Sequence, residues 1–384
     1  MNKRIKIALI TCGIILGVFA IVASGIFGAT FANVEKCIRD QRQRISDLKA
    51  QYLSGDFINT NEQSFCDFNI EAALQNDVKL VDVQFLGTHN SYKKEKSTLE
   101  KFYSKLSPDL AEGNYDFETP TEQLNAGVRS MEFDLFGKKT GSCVTFHSFH
   151  IGYADMSSTS FDFEMCLEEI DLWSLNHPDH LPITIILEPK ERGGAFPYVP
   201  IKGEWLKDLD ALISSKITNL YKPSQAFEGY ENLNEMRASS DSPSLKETMG
   251  KIIFILHPSA FSEAYIDLDR TYKTQAMFPS GYFWWDKTVA EQQFVIINNH
   301  GYYNKDIDEC GGRINEYLVR IMLDNGVSDI PDKALVQNML TATNATICST
   351  NHPPRIHPKK GYESIYFAKE NKTVKLIDSV KLSR

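Results

Sequence analysis

Apolar runs separated by helical and polar stretches make up most of the chain after residue 80. Eight of them predict strands: Val81–Leu86, Val128–Asp134, Cys143–His147, Ile183–Glu188, Lys251–Leu256, Thr274–Phe278, Phe294–Asn298 and Ala345–Ser349. Several are nearly continuous in apolar residues, as parallel strands buried on both faces are. Helical spacing of apolar residues predicts helices over Phe163–Asn176, Leu206–Ile217 and Ile314–Asp324. Strands that alternate with helices predict an α/β fold, a (β/α)8 barrel of the TIM type.

An open doubly wound sheet is the alternative arrangement of the same elements. No Gly-x-Gly-x-x-Gly motif follows the first predicted strand, and such a motif is typical of dinucleotide-binding sheets of that kind. We therefore expect the barrel.

The N-terminus carries a membrane-targeting pattern. Lys3, Arg4 and Lys6 precede an uncharged, mostly apolar run from Ile7 to Ala32, which is long enough to cross a bilayer core of roughly 30 Å. We expect residues 1–32 to be a retained anchor or, alternatively, a cleaved signal peptide. The basic flank predicts a cytoplasmic N-terminus and an extracytoplasmic body, anchored or secreted. We expect residues 33–78 to form a stalk and lead-in helix, and residues 79–384 to form the barrel domain.

Composition limits the classes of protein to which the chain belongs. The hydrophobic fraction of 42% and charged fraction of 24% are those of a globular protein. The formal net charge of −9 argues against a general nucleic-acid-binding protein, which usually has a basic stripe. Seven cysteines include one inside the apolar N-terminal run. For an exported domain we expect a disulfide between Cys143 and Cys166, which flank one strand-to-helix connection.

Polar residues follow the predicted strands where a parallel barrel collects its functional groups. The catalytic face of such a barrel lies at the C-terminal ends of its strands. His89 and Asn90 follow the first strand. Glu132 and Asp134 end the second and, two residues apart, face the same side of a strand. We expect the chain to turn near Gly87 so that His89 and Asn90 both point inward.

The fourth strand ends in Glu188, and Lys190 follows two residues later. Together with Asn90, Glu132 and Asp134, Glu188 completes a set of oxygen ligands. Hard cations prefer such ligands, and calcium accepts irregular geometry more readily than magnesium does. We therefore expect a calcium site, with magnesium as the second choice.

Two histidines near the third predicted strand are candidates for proton transfer. His147 is at its end, and His150 follows three residues later. With His89, either one gives a pair of imidazoles suited to acid–base chemistry near neutral pH.

Five segments, in this order, resemble the calcium-dependent phosphatidylinositol-specific phospholipase C family, in particular its short bacterial-type members. They are Gly87-Thr-His-Asn-Ser-Tyr92, Val128-Arg-Ser-Met-Glu-Phe-Asp134, the segment from His150 through Asp155 to Cys166, Asn176-His-Pro-Asp-His-Leu-Pro182 with Leu187-Glu-Pro-Lys190, and Ala345-Thr-Ile-Cys-Ser-Thr-Asn351. Asn351 stands where the family commonly has aspartate. The resemblance covers roughly residues 80 to 355.

The resemblance implies a phosphodiesterase that cleaves phosphatidylinositol at a membrane. It implies that His89 and His150 are catalytic, that Lys190 binds substrate, and that Asn90, Glu132, Asp134 and Glu188 hold calcium. In that family the inositol 2-hydroxyl attacks the neighbouring phosphorus and diacylglycerol leaves, and the resemblance implies the same reaction here. Two alternatives are a hydrolase like the glycerophosphodiester phosphodiesterases and a catalytically silent barrel that binds lipid or glycan.

Overall fold

The computed structural model describes residues 3–105, 113, 115–239, 241–282, 294–297, 317–324, 344–353, 372–377 and 382. Side chains are described for these residues except 3–24, 26, 234, 237, 295 and 297. The helices are α1 Lys3–Ser54, α2 Ile70–Gln75, α3 Thr98–Ser104, α4 Pro120–Asn125, α5 Phe163–Asn176, α6 Leu206–Lys216, α7 Pro223–Ala226, α8 Leu233–Ala238, α9 Leu245–Thr248 and α10 Ser262–Ile266. The strands are β1 Val83–Thr88, β2 Ser130–Thr140, β3 Cys143–Ser148, β4 Ile183–Pro189, β5 Leu220–Tyr221, β6 Ile252–Leu256, β7 Met277–Gly281, β8 Phe294–Ile297, β9 Leu318–Met322, β10 Ile347–Thr350 and β11 Val374–Leu376.

Parallel pairing joins β1, β2, β4, β6, β7, β8, β9 and β10 in that order, and β10 pairs back onto β1. The ring closes between β1 and β2 where Gly87 lies opposite Ser130. The α/β class is confirmed, and the ring excludes the open doubly wound sheet. Most of the chain between β7 and β10 lies outside the described residues, so the complete (β/α)8 repeat stays a prediction.

Alternating side chains give the strands two different faces. On β2, Met131, Phe133 and Leu135 pack in a hydrophobic cluster with Leu167 and Ile170 of α5. Glu132 and Asp134 point to the opposite side, because successive side chains on a strand alternate. The apolar face of β2 thus fixes which way its carboxylates point.

Helix α5 has the bounds expected from its sequence. Its buried positions include Phe163, Leu167, Ile170 and Trp173, which lie on one helical face. Asp162 caps its start, because the side chain accepts a hydrogen bond from the backbone amide of Met165. The apolar stripe packs the helix against the outside of the sheet.

Two predicted elements differ from the structure. The segment Cys143–His147 is a strand, but it pairs antiparallel with the second half of β2 and is not a member of the ring. Gly141, with a φ of +63°, lies in the turn that returns the chain. The segment Ile314–Asp324 contains strand β9, so the helix expected there is wrong. A short apolar run does not distinguish a strand from a buried helix by periodicity alone.

The second half of α1 packs on the barrel domain. Its buried residues follow a helical stripe: Val34, Cys37, Gln41, Ile45 and Leu48. The Arg44 guanidinium donates to the buried Glu169 carboxylate of α5 at 2.8 Å. This part of the expected stalk therefore contacts the domain directly, while the boundaries at residues 32 and 78 stay predictions.

No helix in the described part of the chain is both long and apolar enough to span a membrane. The side chains of most of the apolar run from Ile7 to Ala32 lie outside that part, so the anchor and the location of the protein stay predictions.

The expected bond between Cys143 and Cys166 is not formed. Cys143 is exposed at the start of β3, whereas Cys166 is buried in the cluster between α5 and the sheet. All five cysteines whose side chains are described are free thiols. The disulfide prediction is wrong because β3 turns back along β2 and leaves Cys143 away from the core.

Candidate active site

Strand register brings the predicted site residues to one rim of the ring. Asp134 of β2 lies opposite Glu188 of β4, and Glu132 lies opposite Ile186. One strand further, the backbone amide of His257 donates to the carbonyl of Leu187 at 2.8 Å. The carboxylates of two strands and an imidazole from a third thus share the C-terminal rim.

The chain turns sharply at Asn90. Its φ of +53° is in the left-handed region, which asparagine tolerates better than most residues. The expected role of Gly87 in this turn is wrong. A Cβ on Gly87 would lie 2.8 Å from the Ser130 Cβ, so glycine permits close approach of β1 to β2 instead.

The carboxylate of Asp134 is completely buried at the rim. The Lys190 ammonium lies 3.1 Å from Asp134 Oδ2 and 2.9 Å from Glu188 Oε1. Burial raises the pKa of Asp134 to about 8 despite the nearby Lys190. Burial also disfavours the Glu188 carboxylate, but His257 and Lys190 outweigh it and lower the pKa of Glu188 to about 2. A bound cation would therefore stabilise the ionised form of Asp134, which burial disfavours.

Glu132 contacts an arginine that the sequence reading did not identify. Arg320 on β9 donates to the Glu132 carboxylate, and both side chains are buried. Its Nε also donates to Ser349 Oγ at 3.1 Å. The sequence predicts a helix over Ile314–Asp324, on which Arg320 would be one more charged surface residue, so its local pattern gives no sign of this contact.

His257 is a second residue that the sequence reading missed. Ligand atoms of Glu132, Glu188 and His257 all lie within 4.8 Å of one another. His257 directly follows the apolar run of β6, so the criterion applied to the other strand ends would have identified it.

His89 is held from two sides through one ring nitrogen. Its Nδ1 lies 3.0 Å from Asn351 Oδ1 and 3.2 Å from the Tyr115 hydroxyl. Because the amide oxygen accepts, Nδ1 carries the proton and Nε2 is the nitrogen left for reaction. Burial lowers the pKa of His89, although the nearby Glu132 opposes this effect. Asn90 shares the hydroxyl contact, since its Nδ2 donates to Tyr115 at 3.1 Å.

His150 belongs to a buried charged cluster beside the rim. Its Nδ1 lies 2.9 Å from Asp155 Oδ2, the same oxygen that accepts from Lys93. Burial lowers the pKa of His150 to about 4, with Asp155 opposing the shift and Lys93 and Lys190 adding to it. The hydrogen bond to Asp155 leaves Nε2 as the reactive nitrogen.

His147 lies in a different environment from His150. It packs against the rings of Phe161 and Tyr198, with centroids 5.6 and 4.7 Å away, and its Nε2 contacts Thr145 Oγ1 at 2.8 Å. Burial lowers its pKa to about 3. Of the two alternatives, only His150 is paired with a carboxylate among the described residues.

The donor set suits a hard cation. Asn90, Glu132, Asp134 and Glu188 supply oxygens, and Asp134 Oδ1 is a buried oxygen without a hydrogen-bond partner among the described residues, which a cation would satisfy. Lys190 and Arg320 already contact three of these carboxylates, so the site is only partly neutralised by the chain itself.

A family model described as phosphoinositide phospholipase C, Ca2+-dependent, matches residues 78–147 and 143–375, well over half of the chain. The chain belongs to this family. It is a phosphodiesterase, a hydrolase of phosphoric diesters, and the resemblance stated from the sequence is confirmed. A search of curated proteins found no match to this phospholipase C-family chain.

Solved structures of bacterial enzymes share the fold. The Ca2+-dependent phosphatidylinositol-specific phospholipase C of Streptomyces antibioticus aligns with a TM-score of 0.53 at 18% identity, over 77% of this chain and 98% of that one. The calcium-dependent phosphoinositol-specific phospholipase C of a Pseudomonas species aligns with a TM-score of 0.51 at 14% identity, over 83% and 99%. A myoinositol complex of the Pseudomonas enzyme aligns equally well, with a TM-score of 0.51.

Proposed function

We propose that this phosphodiesterase is calcium-dependent and cleaves phosphatidylinositol to diacylglycerol and an inositol phosphate. The observation that carries the proposal is a set of three carboxylates, Glu132, Asp134 and Glu188, on the same rim as His89, with Lys190 and Arg320 as their two ion-pair partners. Three carboxylates with two positive partners leave one negative charge uncompensated, which is costly at a largely buried site unless a cation completes it. The family description and the names of both structural relatives include calcium dependence.

Asn90, Glu132, Asp134 and Glu188 would hold the calcium ion. Bound there, calcium lowers the pKa of a coordinated hydroxyl and stabilises negative charge on phosphate oxygens. His257 lies close enough to Glu132 and Glu188 to bind the same ion or to hold these carboxylates in position. Lys190 bridges Asp134 and Glu188 and, because its pKa is raised by both, keeps its charge toward the substrate phosphate.

The two histidines divide the proton transfers. A base takes the proton of the inositol 2-hydroxyl as its oxygen bonds to phosphorus, and an acid returns a proton to the departing diacylglycerol oxygen. His89 and His150 each fix Nδ1 on an acceptor and leave Nε2 free to exchange the proton. A bound phosphate anion favours the protonated form of a nearby imidazole, which counters the effect of burial.

The inositol headgroup is the proposed recognition element. The Pseudomonas relative has been solved with myoinositol, a polyol, and that enzyme shares the fold at 14% identity. In this chain the rim offers the Tyr115 hydroxyl, the Asn351 amide and the Lys190 ammonium, all of which suit a ring of hydroxyl groups.

The proposal includes the complete (β/α)8 repeat and an extracytoplasmic domain, delivered to its lipid substrate by an N-terminal anchor. The uncharged run from Ile7 to Ala32 with its basic flank supports the anchor. A cleaved signal peptide followed by secretion is the alternative.

The test is hydrolysis by the full chain in mixed micelles of detergent and phosphatidylinositol. We expect diacylglycerol release with calcium and loss of release with a calcium chelator. Glycerophosphocholine serves as the second substrate. Its cleavage without cleavage of phosphatidylinositol would favour the glycerophosphodiester alternative, and no cleavage of either would refute the proposal.

A further inference from the structure

Helix α1 is docked against the loops that surround the catalytic rim. Val34 and Cys37 share a hydrophobic cluster with Phe136 of β2, Phe149 and Ala195. Phe136 lies on β2 just beyond the rim carboxylates. Phe149 follows the end of β3, and Ala195 lies in the loop after β4. The helix therefore touches the same end of the barrel that carries His150 and Lys190.

Polar contacts extend this docking toward the N-terminus of the helix. Asn33 Nδ2 donates to Ser157 Oγ at 3.0 Å, just after Asp155 of the charged cluster. The Phe31 ring stacks on Tyr198 with centroids 6.4 Å apart, and the Phe27 ring lies 6.3 Å from Tyr153. These contacts fix the position of the helix at the point where it leaves the domain.

The direction of α1 follows from its contacts with α5. The Gln41 side-chain amide makes two hydrogen bonds with the backbone of Asp162, at the start of α5. The Tyr52 ring lies 6.3 Å from the ring of His177, at the end of α5. Helix α5 leads from the catalytic rim to the start of β4, at the opposite end of the barrel. Helix α1 runs the same way, so its N-terminal half projects outward past the catalytic rim.

The projecting part has the length of a membrane span. The helix is continuous from Lys3 to Ser54, and the stretch before Phe27 is about 36 Å long at 1.5 Å per residue. The hydrocarbon core of a bilayer is about 30 Å thick.

The rim beside this helix exposes aromatic and basic side chains. Phe196, in the loop after β4, is 72% exposed, and Phe27, on α1, is 44% exposed. The loop and the helix meet where Tyr198 stacks on Phe31. Lys138 and Lys139 lie on the nearby extension of β2 beyond the rim. Aromatic rings suit the interfacial region of a membrane, and basic side chains suit anionic headgroups.

We propose that α1 fixes the orientation of the barrel on the membrane, with the catalytic rim and Phe196 facing the lipid surface. The inference rests on the proposed function, since it takes the N-terminal helix as an anchor and a lipid as substrate. It adds that a docked helix, and not a flexible stalk, connects the domain to the membrane. The docked helix presents the mouth of the site to the headgroups of the bilayer that holds it.

Depth-dependent quenching tests this orientation without using catalysis. A fluorescent label is placed on the full chain at Phe196→Cys or at Leu53→Cys, in a Cys143→Ser background because Cys143 is an exposed thiol. Leu53 is the matched control, since it is 90% exposed and lies at the other end of α1. The protein is reconstituted in phosphatidylcholine vesicles with nitroxide on the lipid headgroup or upper chain, and the Cys143→Ser parent gives the background labelling.

We expect lipid nitroxide to quench the label at 196 strongly and the label at 53 weakly or not at all. Equal quenching at the two positions, or stronger quenching at 53, would overturn the orientation. Protein that does not float with the vesicles would overturn it too, since no anchor would then hold the barrel. Hydrolysis of phosphatidylinositol in detergent micelles is measured on the same labelled proteins. Failure of the proposed function is then seen separately from failure of the orientation.

A docking variant provides the second test. Val34→Asp places a charge in the cluster beneath Phe149, whereas Leu53→Asp changes an exposed position on the same helix. We expect Val34→Asp to float with vesicles and to hydrolyse phosphatidylinositol in micelles, but to lose the quenching at 196. Retained quenching in a floating, active Val34→Asp protein would show that docking of α1 does not set the orientation.

Discussion

Arg320 reaches from β9 to the carboxylate of Glu132 on β2, with both side chains almost completely buried. Glu132 is also one of the proposed calcium ligands. The chain therefore supplies a fixed positive charge to a carboxylate that also faces the metal site. If calcium binds there as proposed, this pair links the stability of the barrel to occupancy of the site.

We predict that Arg320→Met destabilises the metal-free protein by about 3–5 kcal/mol, because a buried carboxylate loses its partner. Calcium should restore more stability to this variant than to the wild type, since it replaces the lost positive charge. Urea unfolding with calcium and with chelator measures both effects. The control is Arg270→Met, whose exposed pairs with Glu263 and Asp267 should contribute at most about 1 kcal/mol. Equal stability of Arg320→Met and wild type in chelator would contradict the prediction.

Asp134→Asn should weaken calcium binding severely, because the buried carboxylate between two other acidic side chains loses its charge. Calorimetric titration of the full chain in detergent measures the affinity. Asp179→Asn, at an exposed position, is the matched control and should bind like the wild type. Unchanged affinity in Asp134→Asn would remove the metal assignment.

Adjacent substitutions at the turn after β1 should separate chemistry from metal binding. We expect His89→Ala to lose about 10²–10⁴-fold in turnover while it keeps calcium affinity, since general acid–base catalysis typically contributes that much. Asn90→Gly should weaken calcium binding first, and glycine avoids the strain of alanine at a φ of +53°. A His89→Ala enzyme with near-normal cleavage of phosphatidylinositol would refute the mechanism.

Buried neutral histidines should make the fold sensitive to acid. Burial lowers the pKa of His147 to about 3 and of His180 to about 4, against about 6.5 in the unfolded chain. The unfolded chain then binds more protons, so stability falls as pH drops from about 6.5 toward 4.

His147→Phe should make this acid limb shallower by about 1.4 kcal/mol per pH unit, since one proton is removed from the linkage. Urea midpoints measured from pH 7 to pH 4 check this expectation. Phe161→Leu alters a ring beside His147 without changing a titrating group. It should therefore lower stability at every pH and leave the slope of stability against pH unchanged. An unchanged slope in His147→Phe would count against the assignment.

Cys143 and Cys166 should differ in reactivity. Cys143 is exposed, whereas Cys166 is buried and burial raises the pKa of its thiol. We expect alkylation of native protein to modify Cys143 within minutes and Cys166 only after unfolding. Peptide mapping without reduction that recovers a Cys143–Cys166 peptide would contradict the structure.

Much of the site was predictable because its signals are local. Glu132 and Asp134 alternate with apolar residues on one strand, and Glu188 closes a buried run, so each residue's neighbours in sequence set its orientation. The apolar stripe of Phe163–Asn176 likewise specifies a helix of those bounds. Such patterns need no knowledge of what lies across the barrel.

The sequence by itself thus determined the parallel α/β class and the oxygen donors at the strand ends. The tertiary structure decided that Arg320 meets Glu132, that His257 joins Glu188, and that α1 lies against the rim. These contacts join residues far apart in the chain, and ring closure and helix docking bring them together. A periodic pattern gives the face on which a side chain lies, but only the packed fold determines which residue stands opposite it.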